Sequence, residues 1–301
     1  MQLPKLKTQM TNKKTLIKEA DYLIRAAMSN LSRDKATRHF GVRSVNPAGY
    51  QLPGGVHQAR LQPEAKFQDA LKNALSHLTK DSADWHWDIE APYDTVALSN
   101  EASIYYDIIG VYKEQFSVLI ELKYVTDKVN CDNRRMPSDP PAFPYDVIKD
   151  CVKLELGLSG VARSRTSEVE PIYGVSIGLT NWSAYWNADA TEGNKGWARS
   201  SFDALRNASS LSGVIKTVGT ALTLQARPHL SLGLTWQKEW MDYSKGSELD
   251  SELFRFVYLS VLPNGDFGFD FNYQHEKDDS STLPLLSNEA RELFRSGSIV
   301  R

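Results

Sequence analysis

Residues 105–124 read YYDIIGVYKEQFSVLIELKY. Two apolar runs flank a short polar connection at Lys113-Glu114-Gln115, the pattern of a β-hairpin. Three charged residues interrupt those runs: Asp107, Glu121 and Lys123. With the turn centred on Glu114, Asp107 falls directly opposite Glu121, with Cβ atoms roughly 4.5–5.5 Å apart. Side chains alternate along a strand, so Lys123 shares a face with Glu121. Like charges facing each other destabilise a sheet, and more so away from water. A shared proton, the Lys123 ammonium or a divalent cation would each offset that repulsion. A hard cation such as Mg²⁺ takes carboxylate oxygens and keeps several waters, and a water activated there beside an amine is suited to attacking a phosphodiester. The competing reading is an ordinary polar strand face with a Glu-x-Lys ion pair of little consequence. The apolar character of VLIELKY weighs against it, because it puts Glu121 and Lys123 at the margin of a core.

Working outward, EAKFQDALKNALSHL upstream predicts a helix. Phe67, Ala70, Leu71, Ala74 and Leu75 form its apolar stripe, with Pro63 and Glu64 in the first turn. DWHWDIEAPYD predicts a strand from Trp85 to Ile89 broken by Pro92. Downstream, VTDKVNCDNRRMPSDPPAFP reads as a long irregular stretch. YDVIKDCVKLELGL reads as a helix with Val147, Ile148, Cys151, Val152 and Leu154 on its apolar side. PIYGVSIGLTN reads as a buried parallel strand. Residues 12–31 predict a further helix capped by Thr11 or Asn12, followed by a loop over 32–63. Toward the C-terminus the pattern predicts one or two short helices in SFDALRNASSLSGVIKTVGTAL and strands in HLSLGLTWQKEW and ELFRFVYLSVL. A hairpin partner in PNGDFGFDFNY and a terminal helix at SNEARELFRS complete the expectation.

The order helix with an early Glu, strand, strand with Asp, turn, strand with Glu-x-Lys, helix, strand resembles the layout of the PD-(D/E)xK nuclease superfamily. That family has the restriction-endonuclease-like fold. The matching pieces are Glu64 in EAKFQDAL, Asp107 in YYDIIGV, Glu121 and Lys123 in IELKY, the helix YDVIKDCVKLE and the strand YGVSIGL. Tyr106 stands where the family motif has its proline. The resemblance implies an α/β (mixed α+β) class, with a central mixed β-sheet flanked by helices. It spans a nuclease core over residues 61–181, preceded by an N-terminal helical extension over 1–60. A β-rich C-terminal elaboration over 182–301 continues the same domain. It further implies Mg²⁺, with Mn²⁺ as a substitute, bound by Asp107, Glu121 and the backbone carbonyl of Leu122. Lys123 matches the catalytic lysine, and Glu64 the helix acid, with Gln68 one turn later as its alternative. The implied activity is endonucleolytic hydrolysis of nucleic acid, DNA before RNA. A homodimer is an expected partner, since many such enzymes pair to cut two strands. By fold analogy the setting is restriction or phage defence. The alternative is a catalytically inactive relative that serves as a nucleic-acid-binding or assembly module.

A net charge of −2 gives the chain no global attraction to nucleic acid or acidic membranes, so substrate contacts must be local. Arg134 and Arg135 in the long loop, and Lys149 and Lys153 on the following helix, are the candidates. No run approaches the ~20 apolar residues of a membrane span. The N-terminal lysines precede no apolar block, and Cys131 and Cys151 read as reduced thiols, so a cytoplasmic location is expected. The six histidines show no metal-ligand spacing, and neither a phosphate-binding glycine loop nor a Gly-x-Ser-x-Gly elbow occurs. Asp146 and Asp150 read as surface or ion-pair residues, and Trp182, Trp186 and Trp197 as packing residues before base-stacking ones.

Overall fold

The computed structural model describes residues 3–33, 56–82, 84–95, 103–125, 142–159, 162–164, 169–180, 185–186, 204–215, 229–244, 254–261, 269 and 282–283. Its elements run α1 (Leu3–Arg33), α2 (Val56–Leu78), β1 (Trp85–Thr95), β2 (Ser103–Tyr112), β3 (Phe116–Val125) and α3 (Ala142–Leu158). Then come β4 (Ala162–Ser164), β5 (Glu170–Thr180), β6 (Ser210–Ile215), β7 (His229–Ser244), β8 (Phe254–Val261) and β9 (Thr282–Leu283). All the strands join one mixed sheet in the order β4-β1-β2-β3-β5-β8-β7-β6, with β9 alongside β7.

The hairpin adopts the expected register: Ile108 faces Ile120, Gly110 faces Val118 and Tyr112 faces Phe116. Its turn closes through Gln115 N–H donating to Tyr112 O, with Lys113 and Glu114 at φ 49° and 56°. Positive φ disfavours both side chains, and external contacts hold the turn. Lys113 gives its N–H to the Asp84 carbonyl and its ammonium to the Asp84 carboxylate.

On the other side of β3, β5 runs parallel, with Glu121 beside Ser176 and Lys123 beside Gly178. A parallel neighbour needs a crossover, and α3 supplies it. One face of the sheet carries α1 and α2 over Ile108, Val118, Ile120, Leu122, Val175 and Ile177. The opposite face carries α3 over Tyr106, Ile109, Leu119, Val257 and Leu259. Burial of both faces explains why β5 reads as a continuous apolar run. The helix seats closely at Gly178, where a Cβ would meet Phe143 at 2.6 Å and Val147 at 2.9 Å.

Several local expectations change. The α1 helix starts at Leu3, so Thr11 and Asn12 are interior residues and cap nothing; Pro4 sits acceptably in its first turn. The α2 helix starts at Val56, which puts Pro63 and Glu64 two turns inside it and the 60/61 boundary within it. Pro63 lacks an N–H and costs the helix one bond there, yet the helix continues because Phe67, Leu71 and Leu75 bury completely against the sheet. Strand β1 runs through Pro92, which pairs with Tyr105. β4 joins β1 only from Tyr93 onward, so the proline lies where β1 is still an edge. Residues 210–215 form β6 where a helix was expected, since pairing with β7 outweighs local propensity; among the described residues of that stretch, 204–207 form one short helix. Of the hairpin partner in PNGDFGFDFNY only Phe269 is described, and the terminal helix lies outside the described residues. No described helix is long and apolar enough to cross a membrane.

Candidate active site

The ladder between β2 and β3 ends at Ile108–Ile120, while β3 continues along β5 to Val125. Beyond that point β2 departs and leaves the main chain of β3 unpaired on one side. Two carboxylates take its place. Asp107 Oδ2 accepts the N–H of Leu122 at 2.6 Å, and Glu64 Oε2 accepts the N–H of Tyr124 at 3.3 Å. The N–H and C=O of one strand residue point toward the same neighbour, so the Leu122 carbonyl also faces this gap. Gln68 fixes the other side of Asp107, donating its amide to the Asp107 carbonyl at 2.6 Å.

The alternation along β2 breaks at this residue. Tyr106 and Ile109 both pack on the α3 side, where strict alternation would separate them. Asp107 therefore lies between strands instead of standing on a face, and it meets the β3 backbone. It still acts on Glu121, adding to the cost of ionising that carboxyl.

Glu121 is 3% exposed and faces α3, where Lys153 Nζ lies 2.7 Å from its Oε1 as an ion pair off the direction of an aligned hydrogen bond. Lys123 Nζ lies 3.4 Å from Glu64 Oε1. Asp150, one turn before Lys153, is 5% exposed, and its Oδ2 has no hydrogen-bond partner. Lys149 pairs with Asp146 at 3.4 Å. Of the surface or ion-pair reading, Asp146 fits the second, while Asp150 is not at the surface: α3 docks against β3 and β5, and the face carrying Asp150 and Lys153 is the docked one.

Burial pushes the carboxyls of Glu64, Asp107, Glu121 and Asp150 above their ordinary values, furthest for Glu121, with the lysines opposing the shift. Burial alone would lower Lys123, but Asp150, Glu64, Asp146 and Asp107 outweigh it and hold the amine firmly as ammonium. Lys153 is raised in the same way, with burial opposed by Glu121, Asp107 and Asp150.

Four buried or half-buried carboxylates thus meet two ammonium groups, Lys123 and Lys153. With all four carboxyls ionised, the cluster would carry two surplus negative charges in a poorly hydrated spot. Among the described residues no three His, Cys, Asp or Glu side chains converge as a ready-made metal centre. The donor set is nonetheless the kind a hard divalent cation takes: carboxylate oxygens, a main-chain carbonyl in the gap and uncompensated charge.

Of the expected substrate contacts, Lys153 reaches the cluster and Lys149 flanks it, whereas Arg134 and Arg135 lie outside the described residues. Trp186 packs against Trp240 and under Arg255; Trp182 and Trp197 lie outside the described residues. Cys151 is a buried free thiol on α3, and Cys131 lies outside the described residues. The role of Asp150 had no separate signal in the sequence beyond its helical spacing from Asp146 and Lys153. Set against family models, curated proteins and solved structures, the chain matches none.

Proposed function

We propose that this chain is a divalent-metal-dependent nuclease of the PD-(D/E)xK type, hydrolysing phosphodiester bonds of nucleic acid, DNA foremost. One observation carries the reading. Where β2 leaves β3, Asp107, Glu121, Lys123 and Glu64 gather around one unpaired stretch of backbone. The order α2-β1-β2-β3-α3-β5, with β3 and β5 parallel, is the arrangement expected of a restriction-endonuclease-like core and supports the same reading.

In this reading Asp107 and Glu121, with the Leu122 carbonyl, would hold a Mg²⁺ ion. Such an ion would supply Lewis-acid polarisation of the scissile phosphate. The residues of the chain do the rest. Lys123, held as ammonium, donates hydrogen bonds to the attacking water and neutralises charge that grows on the phosphoryl oxygens. Glu64 anchors that amine and is the nearest carboxylate to take the proton released by the water. Water oxygen bonds to phosphorus as the bond to the leaving sugar oxygen breaks.

Purified protein with Mg²⁺ or Mn²⁺ is expected to cut DNA, and Lys123→Ala to lower the rate by about 10²–10⁴-fold. Equal cutting by wild type and variant would reject the proposal. The Glu121–Lys153 pair favours a second reading, a retired site in a nucleic-acid-binding or assembly module. Such a protein would bind DNA with no dependence on Mn²⁺ and cut none.

A further inference from the structure

The Glu121–Lys153 pair places an ammonium on the carboxylate that the nuclease reading needs for its cation. We infer that Lys153 is a movable counter-ion, resting on Glu121 when the cation is absent and transferring to Asp150 when it enters. The inference rests on the cation site proposed above and adds to it the residue that regulates entry.

Three observations support the transfer. The donor is in place, with Lys153 Nζ 2.7 Å from Glu121 Oε1 and the lysine only 8% exposed. The acceptor is waiting: Asp150 Oδ2 is buried without a hydrogen-bond partner, and such an atom is costly to leave unsatisfied. The path is short, because residues three apart on a helix lie on one face and within side-chain reach. The Asp146–Lys149 pair has the same spacing on the same helix and is already closed at 3.4 Å.

The helix itself need not move. Tyr106 donates its hydroxyl to the Lys153 carbonyl at 3.1 Å, and its ring lies 5.5 Å from the ammonium. The first contact holds the backbone while the four-carbon side chain turns; the second touches only the ammonium end that moves. Other charges face Asp150 as well: Lys123 is its strongest opposite neighbour, with Lys149 weaker and Asp146 repelling it. None of them closes a hydrogen bond to Oδ2. A cation arriving between Asp107 and Glu121 would repel the Lys153 ammonium toward that oxygen. The buried charge would stay paired throughout, which avoids the penalty of an isolated ion.

The test is calorimetric titration of the full chain with Mn²⁺ across a double-mutant cycle. Lys153→Met, which keeps the volume and removes the competitor, is expected to tighten Mn²⁺ binding about tenfold. Asp150→Asn, which removes the receiving carboxylate, is expected to weaken it about tenfold, and to change it less than about twofold once Lys153 is Met. Unchanged or weaker binding by Lys153→Met would overturn the inference. So would a full Asp150→Asn loss persisting in the Met background, which would make Asp150 a direct ligand. If neither wild type nor Lys153→Met takes up Mn²⁺, the cation site itself fails, a result distinct from both. A wild-type crystal soaked in Mn²⁺ needs no variant. Lys153 Nζ is expected beside Asp150, and an ion bound with Nζ still on Glu121 would refute the transfer.

Discussion

Two buried carboxylates, Glu155 on α3 and Glu121 on β3, lie where α3 packs on the sheet, and they differ in what surrounds them. Glu155 is fully buried and accepts three neutral N–H donors: Gly233 and Leu234 main chain at 2.9 Å each and Trp236 Nε1 at 3.0 Å. Those donors sit where the β6–β7 register shifts and the ladder is broken, so the carboxylate replaces missing strand partners. Glu121 is nearly as buried but meets a single lysine and faces Asp107 and Asp150. A buried carboxylate satisfied by dipoles fastens two elements together. One set among like charges is held under stress that a proton, an amine or a cation must relieve, and this makes it chemically useful.

Removing the first carboxylate is expected to have the larger effect on folding. Glu155→Ala leaves three buried donors without an acceptor and should lower stability by about 3–5 kcal/mol in urea unfolding. A loss under about 1 kcal/mol would mean that the donors find water or other partners, and the contrast with Glu121 would collapse.

Glu121→Gln should do much less. It loses the ion pair but also the repulsion from Asp107 and Asp150, and Asp150 remains to receive Lys153, so metal-free stability should stay within about 1 kcal/mol of wild type at neutral pH. The pH dependence gives the sharper comparison. Because the native Glu121 carboxyl is pushed above its ordinary 4.5, the folded protein keeps a proton that the unfolded chain has released. That contribution is complete below pH 4.5 and is lost as pH rises through the native value. Melting temperatures at pH 5 and pH 8 should therefore shift the balance toward the Gln variant with rising pH. The opposite trend would mean that Lys153 neutralises Glu121 more fully than the carboxylates oppose it.

The smallest effect concerns an amine outside the cluster. Lys238 donates to the Leu205 carbonyl and has no carboxylate partner among the described residues, and burial lowers it to about 8. The unfolded chain then holds the extra proton between about 8 and 10.5, so wild-type stability should rise with pH across that window. Lys238→Met should lack the rise when both are melted at pH 7.5 and pH 9.5. Parallel curves would show that this amine ionises as freely folded as unfolded.

Much of the core was readable because its signals are local. The hairpin register follows from turn position and period-two alternation, and Glu121 and Lys123 stood out as charges inside apolar runs. The apolar side of α3 was readable for the same reason: Val147, Ile148, Cys151, Val152 and Leu154 recur at helical spacing, and all are buried. Other positions resisted reading because distant partners decide them. Pro63 and Pro92 looked like boundaries, but burial of α2 and the late arrival of β4 let both elements pass through them. Residues 210–215 look helical in isolation and are a strand because β7 is there to pair with.

The amino-acid order dictated which residues carry charge into the hairpin and the register from Ile108–Ile120 to the turn, since both follow from backbone geometry over a few residues; the direct Asp107–Glu121 pairing that this register predicts does not form, because the ladder stops one residue short of it. Only the folded chain decided that β2 would leave β3 at that level, that Glu64 and Asp107 would take over the freed N–H groups, and that α3 would press Asp150 and Lys153 into the same spot. Those outcomes depend on helices packing across a sheet from tens of residues away. Desolvation of a charge is a property of everything packed around it, which no local pattern encodes.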